Sequence, residues 1–563
     1  MKANLALMKI LEDYNVNYIF GLPGETSLLL YDIFEKSSIS HIMARDERNT
    51  IMMADGYARV SYKPGIAEVP GVAASYILPG LSEAKVSSIP IIVIISDTSN
   101  TLEKTNVLTE YDKNSMFFDV TKDFLNVNSI SSLPRLVRRA FREATSGIPG
   151  PVVLRIPENI YEMEINQSEI YGQKEFSNFP AIRMAPEEKL LEKAVDLLDK
   201  SQHPVIICGQ GVLLSMAWNE VSNLSELLNI PVGTTITGKG SISDFHPNSI
   251  GVIGNRGGTS FSNAVVQNSD LIFYMGSNTD YAGTNAWSTP SLRRNANIIH
   301  LDINESNLGN MYHTELFLQG DVKLTLQMII KIVKNRKLKM KKIDIKSKKE
   351  DQWKFVESLI EKNINYVNPI SFIRNLEKII NYDVIIVADV GTSAIYTSAY
   401  FRVKKPGRSF IYNYSIGGLG FGLGAAIGAY FASKKMVILL TSDGNIGFNM
   451  GELETIRRTN ANVKVILMNN RSFGWIRAAL LSRFEKDYKE GIFSDIDYLK
   501  IADGFGLKSF LIEKNKDLNM MTEFLRTKGP AFLEMKVLPE NEVFPPVPSW
   551  RAVSEKNGKI YLG

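Results

Sequence analysis

Two apolar runs, Met436-Val437-Ile438-Leu439-Leu440 and Val463-Lys464-Val465-Ile466-Leu467-Met468, each lead directly into a short polar turn. The first turn is Thr441-Ser442-Asp443-Gly444-Asn445 and the second is Asn469-Asn470-Arg471-Ser472. Runs of this length and composition read as strands buried on both faces. With helical sequence between them they form a β-α-β unit, which dictates a parallel sheet and sets both turns on its carboxyl edge, where open α/β sheets bind ligands. Asp443, Asn470 and a free backbone carbonyl make an oxygen-only set. Such a set suits Mg²⁺ or Ca²⁺, above all when a diphosphate adds oxygens. Asp-Gly and Asn-Asn are also ordinary turn formers, so the pair alone leaves both readings open.

A chain of 563 residues with 44% hydrophobic and 22% charged content is expected to be a soluble globular protein of several domains. The net charge of +4 is small, and no basic-aromatic stripe points to nucleic acid. The one cysteine, Cys208, rules out internal disulfides and a cysteine zinc cluster, and its apolar neighbours predict a buried thiol. The five histidines form no metal-binding pair. No apolar run is long enough to span a membrane. Leu5, Met8 and Leu11 followed by Glu12 and Asp13 read as an amphipathic helix rather than a signal peptide, so a cytoplasmic location is expected.

The fold class expected is α/β, with three consecutive open parallel-sheet domains over residues 1–168, 185–335 and 352–540 and an extended, proline-rich tail over 541–563 lying across a surface. Strands are predicted at Val16–Phe20, Ile89–Ile95 and Pro151–Ile156 in the first block, and at Val205–Cys208, Leu271–Met275 and Asn297–Leu301 in the second. A helix is predicted over Pro186–Lys200. Residues 166–184 read as a linker, and the lysine-rich stretch Lys331–Lys349 as a second one, solvated rather than partner-binding.

Two further segments suit a phosphorylated ligand. A strand-like run ends in Asp389-Val390-Gly391-Thr392-Ser393, where Gly391 allows close backbone approach and a helix start offers N–H groups. Gly417-Gly418-Leu419-Gly420 precedes small residues Gly424, Ala425, Gly428 and Ala429, which let a helix pack tightly. This glycine run opens no β-α-β unit and carries no acid for a ribose, so a nicotinamide-dinucleotide reading is weak. In the first block, Glu47 lies in Arg45-Asp46-Glu47-Arg48-Asn49, before Ile51, Met52, Met53 and Ala54. Its flanking acid and arginines read, in isolation, as a surface helix charge; its place near the start of a largely buried helix also allows a desolvated carboxyl suited to holding and donating a proton.

These segments together resemble the thiamine-diphosphate-dependent 2-oxo-acid enzymes, and among them the acetolactate synthases, over nearly the whole chain. That family's metal–diphosphate motif, GDG followed by NN, stands here as Ser442-Asp443-Gly444 and Asn469-Asn470, with serine for the first glycine. The resemblance implies that Asp443, Asn470 and the carbonyl of Ser472 ligate Mg²⁺. It implies that Gly391, Thr392, Ser393, Gly444 and Asn445 hold the diphosphate. Glu47, eight residues before Asp55 of the family's DGYAR segment, is implied to hydrogen-bond N1′ of the aminopyrimidine and drive its tautomerisation. It further implies that the backbone carbonyl of Gly417 accepts from the 4′-amino group, that Gly418 beside it belongs to the cofactor site, and that Leu419 wedges the cofactor into its bent shape, where the synthases often carry methionine. The halves of such a site come from two subunits, so a homodimer or homotetramer is implied.

The reaction implied is carboligation: a 2-oxo acid such as pyruvate is decarboxylated and its acyl unit is passed to a second 2-oxo acid or an aldehyde. Other outcomes stay open: simple decarboxylation, oxidation, cleavage of a 2-hydroxyacyl-CoA, or a silent cofactor-binding subunit. The absence of histidines between His41 and His203 weighs against the decarboxylases. Leu108-Thr109-Glu110-Tyr111-Asp112 resembles the synthases' FQETD stretch with two replacements, and Pro70-Gly71-Val72-Ala73 departs from their GPGATN loop. Gly238-Lys239-Gly240, Gly276–Asp280 and His300–Asn304 resemble FAD-contacting segments, with Asn278 where an arginine is usual. FAD in the middle domain and a purely structural middle domain both stay open. Trp475 either shapes a substrate pocket or simply packs.

Overall fold

Among the described residues, eighteen strands fall into three six-stranded sheets, every neighbouring pair of which is parallel. The computed structural model describes all residues except 112, 294, 295, 361 and 363. The first sheet holds β1 (Tyr18–Gly21), β2 (Ser40–Met43), β3 (Gly65–Pro70), β4 (Ile91–Asp97), β5 (Asp123–Asn126) and β6 (Val152–Pro157). The second holds β7 (Pro204–Cys208), β8 (Val232–Thr234), β9 (Ser249–Val252), β10 (Leu271–Met275), β11 (Asn297–Asp302) and β12 (Leu316–Gln319). The third holds β13 (Ile385–Ala388), β14 (Phe410–Tyr412), β15 (Val437–Ser442), β16 (Val463–Asn469), β17 (Lys508–Ile512) and β18 (Ala531–Lys536). Central strands such as β4, β10 and β16 are buried along their whole length, as helices on both faces require.

The first and third sheets share one strand order, β2-β1-β3-β4-β6-β5 and β14-β13-β15-β16-β18-β17. The middle sheet differs. Its order, β12-β11-β10-β7-β8-β9, is the 3-2-1-4-5-6 arrangement of dinucleotide-binding doubly wound folds. Cys208, at the end of β7, is buried as its neighbours predicted.

The first and third domains share one continuous core in which Ile51 and Met53 join Phe421, Leu423 and Ile427. The helices Glu47–Ser61 and Phe421–Ser433 pack side by side with their backbones in contact. A Cβ on Gly56 would lie 2.1 Å from the carbonyl oxygen of Ala425, and one on Gly428 1.9 Å from that of Met53. Only glycine admits this approach, which accounts for the stripe of small residues seen in the sequence.

Two expectations are corrected. The lysine-rich stretch is mostly helical: Val322–Arg336 takes one end and Lys346–Ile360 the other, leaving 337–345 irregular. Leu326, Ile329, Ile330 and Val333 bury one face of the first of these helices, so it continues through the lysines. The tail is not extended. Val543–Phe544 pairs with Ile560–Tyr561, and Pro548–Trp550 turns into the helix Arg551–Lys556. Phe544, Val547 and Trp550 pack against Ala478 and Leu481, so burial of its aromatics outweighs the extended preference of its prolines.

Candidate active site

The third sheet reverses its strand order between β13 and β15, and the turns after these strands face each other across that switch point. After β13, Gly391 sits at φ +116° and begins the helix Thr392–Tyr400. A Cβ there would meet nothing within 4 Å, and neither would one on Gly418, so both backbones border open space. The Tyr414 hydroxyl brackets Gly391, lying 3.1 Å from its N–H and 3.0 Å from its carbonyl. Ser393 donates to the Asp389 carbonyl at 2.9 Å, and Thr392 donates to Glu540. Asn445 donates to the Val390 carbonyl at 2.9 Å and accepts from Gly420 N–H at 3.3 Å. Its side chain therefore laces three loops together.

Gly417 and Gly418 are fixed from two sides. Asn413 donates to the Gly418 carbonyl at 2.7 Å. Glu83, buried on the helix Leu78–Val86 of the first domain, accepts from the N–H groups of Ile416 at 2.8 Å and Gly417 at 3.2 Å. Leu419 remains exposed.

At the ends of β15 and β16 the expected metal oxygens come together. Asp443 is buried; Oδ1 accepts from Gly444 N–H at 3.0 Å, and Oδ2 has no hydrogen-bond partner. Burial pushes this carboxyl up to about 7; the N–H groups of Gly444, Arg471 and Ser472 pull it partly back, while the charge of Glu540 raises it further. Asn470 Oδ1 accepts from Ser472 N–H at 2.9 Å, and its amide donates to Glu540 at 2.7 Å. Glu540 was not found in the sequence. It is buried, bridges Thr392 to Asn470, and is itself raised to about 7 by burial. A Cβ on Gly474 would fall 1.4 Å from its Oε2, so that glycine makes room for it. Two buried carboxylates, one with an orphaned oxygen, fit a divalent cation.

Glu47 opens its helix, with Asp46 as N-cap accepting from Arg48 N–H. The structure corrects the expected desolvation: Glu47 is only half-buried, because the helix is buried from Asn49 onward. Its carboxylate makes no hydrogen bond or ion pair among the described residues. Asn449 donates to the Gly420 carbonyl and lies 3.4 Å from Asn49, which sets the first turn of the Glu47 helix beside the Gly417–Gly420 loop.

Comparison with known proteins gives this arrangement a lineage. Residues 1–116 match the N-terminal TPP binding domain of thiamine pyrophosphate enzymes, 191–329 their central domain and 389–535 their C-terminal TPP binding domain. The probable acetolactate synthase large subunit of Methanococcus aeolicus is 30% identical over 555 residues, covering 95% of this chain and 92% of that protein. The chain belongs to the thiamine pyrophosphate enzyme family. The acetolactate synthase isozyme 1 large subunit of Escherichia coli K12 is 28% identical over 98% of this chain and 97% of its own. The mitochondrial acetolactate synthase catalytic subunit of Saccharomyces cerevisiae is 29% identical over 96% of this chain and 81% of its own. This thiamine pyrophosphate enzyme is thus of the acetolactate synthase type.

Two departures from the synthase pattern meet in space. Gly71–Ser75 forms a helical turn after β3, and Tyr111 reaches back to the Gly71 carbonyl at 3.4 Å. Leu108 is exposed, Glu110 accepts from Asn106 N–H at 2.8 Å, and Asp112 lies outside the described residues. In the middle domain of this thiamine pyrophosphate enzyme, a cavity of about 310 Å³ opens at the switch point of the sheet. Gly209–Gly211 after β7, Gly276–Asn278 after β10 and Asp302–Asn304 after β11 line it, three of the segments where a nucleotide would be held. Asp302 is buried, and burial raises its carboxyl to about 6. Lys239 pairs with Asp244 at 3.0 Å, away from this cavity. No described helix is long and apolar enough to cross a membrane.

Proposed function

We propose that this chain is a carboligase that decarboxylates a 2-oxo acid such as pyruvate and passes the acyl unit to a second 2-oxo acid or an aldehyde. The observation that carries this reading is the orphaned Oδ2 of buried Asp443 beside Asn470, at the carboxyl edge of a sheet whose whole chain is similar to acetolactate synthase large subunits. Thiamine diphosphate, when bound, supplies the carbanion that attacks a 2-oxo acid. Asp443, Asn470 and the Ser472 carbonyl are the oxygens offered to Mg²⁺. Gly391 and the first turn of the Thr392–Tyr400 helix offer N–H groups to a diphosphate, with Ser393, Gly444 and Asn445 fixing the loops around it. Glu83 holds the Ser415–Gly417 backbone rigid, so that the Gly417 carbonyl is positioned to accept from an aminopyrimidine. Leu419 offers an exposed apolar edge to the cofactor rings.

Glu47 is assigned the proton at the pyrimidine N1′. Its carboxylate makes no hydrogen bond or ion pair among the described residues, which favours a site completed by a second copy, in a homodimer or a tetramer of two such dimers. We propose FAD for the middle cavity: the strand order, the glycine turns after β7 and β10, and Asp302 at the end of β11 suit an adenine dinucleotide. A yellow purified protein with flavin absorbance is expected, and a colourless one leaves the cavity structural. The reaction is tested by incubating the protein with pyruvate, Mg²⁺ and thiamine diphosphate. Acetolactate, converted to acetoin on acidification, is expected; acetaldehyde or acetate as the only product refutes carboligation.

A further inference from the structure

One short segment of this chain belongs to two walls at once. Tyr414 and Ser415, just after β14, line the middle cavity together with Ser87 of the first domain and Gln210 of the second. The same two residues hold the glycines of the thiamine diphosphate site. The Tyr414 hydroxyl accepts from Gly391 N–H at 3.1 Å and donates to the Gly391 carbonyl at 3.0 Å. Ser415 runs directly into Ile416 and Gly417, and the N–H groups of all three reach Glu83, at 3.4, 2.8 and 3.2 Å.

The cavity wall is tied to the same carboxylate. Gln210 donates to the Ser87 carbonyl at 2.6 Å and accepts from Arg59 at 3.3 Å. Ser87 Oγ lies 2.9 Å from Glu83 Oε1 and 2.7 Å from Ser415 Oγ, and Arg59 Nη2 lies 3.9 Å from Glu83. Polar contacts therefore run unbroken from the cavity to Gly391 at one end of the cofactor site and to Gly417 at the other.

Packing does not fix these two glycines. Gly56 and Gly428 are locked by backbone pressed against them, whereas a Cβ on Gly391 would meet nothing within 4 Å, and one on Gly417 would find Val390 Cγ2 nearest, at 3.5 Å. Both take positive φ, +116° and +80°. The strand that leads to Tyr414 is no anchor either: β14 is three residues long and lies at the edge of its sheet, paired with β13 alone. Gly391 and Gly417 are thus placed by hydrogen bonds from a segment whose other side is the wall of the middle cavity.

We propose that Tyr414 is a positioning residue that couples the two sites: an adenine nucleotide in the middle cavity, resting on Tyr414 and Ser415, fixes Gly391 and Gly417 and so tightens the binding of thiamine diphosphate. The inference rests on the reading of that cavity as a nucleotide site. Ordering the shared segment is a cost that the first ligand meets and the second does not, so the linkage is positive even without a change of shape. By reciprocity, thiamine diphosphate tightens the nucleotide by the same factor.

Calorimetric titration tests this without turnover. The full chain, freed of nucleotide, is titrated with thiamine diphosphate in Mg²⁺, with and without saturating FAD, and then with FAD, with and without saturating thiamine diphosphate. FAD is expected to lower the Kd of thiamine diphosphate about 5- to 50-fold, and thiamine diphosphate to lower that of FAD by the same factor. Tyr414→Phe keeps the ring in the cavity wall and loses the hydroxyl at Gly391. It should bind FAD alone within about twofold of the natural protein, while the coupling factor falls at least about threefold. A factor of one in the natural protein overturns the proposal. So does a Tyr414→Phe protein that binds thiamine diphosphate more weakly by the same amount with and without FAD, because Tyr414 then only braces Gly391. If FAD does not bind, ADP is the probe: a factor found with ADP supports the coupling and sinks the FAD reading alone, and no factor with ADP overturns the coupling. Should Tyr414→Phe lose its cooperative melting transition, Ser415→Ala decides, and an unchanged factor in that variant refutes the proposal.

Discussion

Replacing Asp443 with asparagine keeps the shape of the side chain and its acceptor for Gly444 N–H while removing a buried negative charge. Burial holds this carboxyl at about 7 in the folded protein against an ordinary 3.8. At about 1.36 kcal/mol per pH unit, keeping it ionised in the fold costs roughly 4 kcal/mol once the solution is well above pH 7. Glu540 titrates beside it and shares part of that cost, so a gain of about 2–4 kcal/mol is expected for Asp443→Asn. The sign follows from the raised value. Below about pH 4 both folded and unfolded carboxyls are protonated, and the substitution changes nothing. From about pH 4 to 7 the natural protein loses stability as the unfolded chain releases its proton first, and above 7 the loss is complete. Urea unfolding in the presence of EDTA at pH 4 and pH 8 reads this directly: variant and natural protein should match at the lower pH and separate at the higher. Adding Mg²⁺ and thiamine diphosphate at pH 8 should reverse the ranking, because only the natural carboxylate offers the cation its charge. A variant no more stable than the natural protein at pH 8 in EDTA, or equally stabilised by Mg²⁺ and cofactor, would refute the reading of Asp443 as a destabilised metal ligand.

Other perturbations probe neighbouring parts of the same argument. Glu47→Gln is expected to keep the thermal stabilisation given by Mg²⁺ and thiamine diphosphate but to lose most turnover; full turnover would remove Glu47 from the site. Glu540→Gln should raise the pH 8 stability of the cofactor-free protein less than Asp443→Asn does. It should weaken, without abolishing, the response to Mg²⁺ in a melting titration, since Glu540 touches Asn470 and Thr392 rather than the proposed cation. Gly428→Ala drives a methyl group into the Met53 carbonyl and should cost about 1–3 kcal/mol by overpacking, read as a lower urea midpoint.

The strands were legible wherever burial on both faces left an unbroken apolar run. Leu271–Met275 is bounded by Asp270 and Gly276 in the sequence and begins and ends there in the fold. The stripe Gly424–Ala429 pointed to close helix packing for the right reason, because only missing side chains permit backbone contact. What could not be read are groups whose role is set by distant partners. Glu540 lies in Pro539-Glu540-Asn541-Glu542, which has the composition of a solvated loop, yet it is buried 70 residues along the chain from Asn470. Glu83 sits in a helix with no marked apolar face and is buried only because the Ser415–Gly417 loop of another domain closes on it. Glu47 erred the other way: the apolar residues after it marked a buried helix, but its own position at the first turn leaves it half in water. The tail was misjudged because its prolines were weighed above Phe544 and Trp550, whose burial fixes its path. An acid followed within ten residues by Phe544 and Trp550 was the one available signal for Glu540.

The single chain leaves its site electrostatically and sterically unfinished, and the two deficits point to the same completion. Buried Asp443 keeps one oxygen without a hydrogen-bond partner, while the Glu47 carboxylate makes no hydrogen bond or ion pair among the described residues. Around the glycine loop Ile416 and Leu419 are exposed, and so is Phe448, whose Cβ sits 2.6 Å from where a Cβ of Gly420 would be. Exposed apolar side chains flanking a backbone that borders open space are the rim of a surface meant to be covered. If a second copy covers it and supplies Glu47 to the pyrimidine, the cofactor bridges two subunits, and binding must be linked to association: whatever affinity the dimer gains for the cofactor, the cofactor returns as dimer stability. Sedimentation velocity on dilute protein, with and without Mg²⁺ and thiamine diphosphate, should show the dimer persisting to at least about tenfold lower concentration when both are present, which corresponds to about 1.4 kcal/mol of coupling. Asp443→Asn should erase that difference by removing the metal anchor, whereas Glu47→Gln, which leaves cofactor binding in place, should keep most of it. An association constant indifferent to cofactor in the natural protein would place the whole site within one chain and leave the unpaired Glu47 carboxylate without its proposed partner.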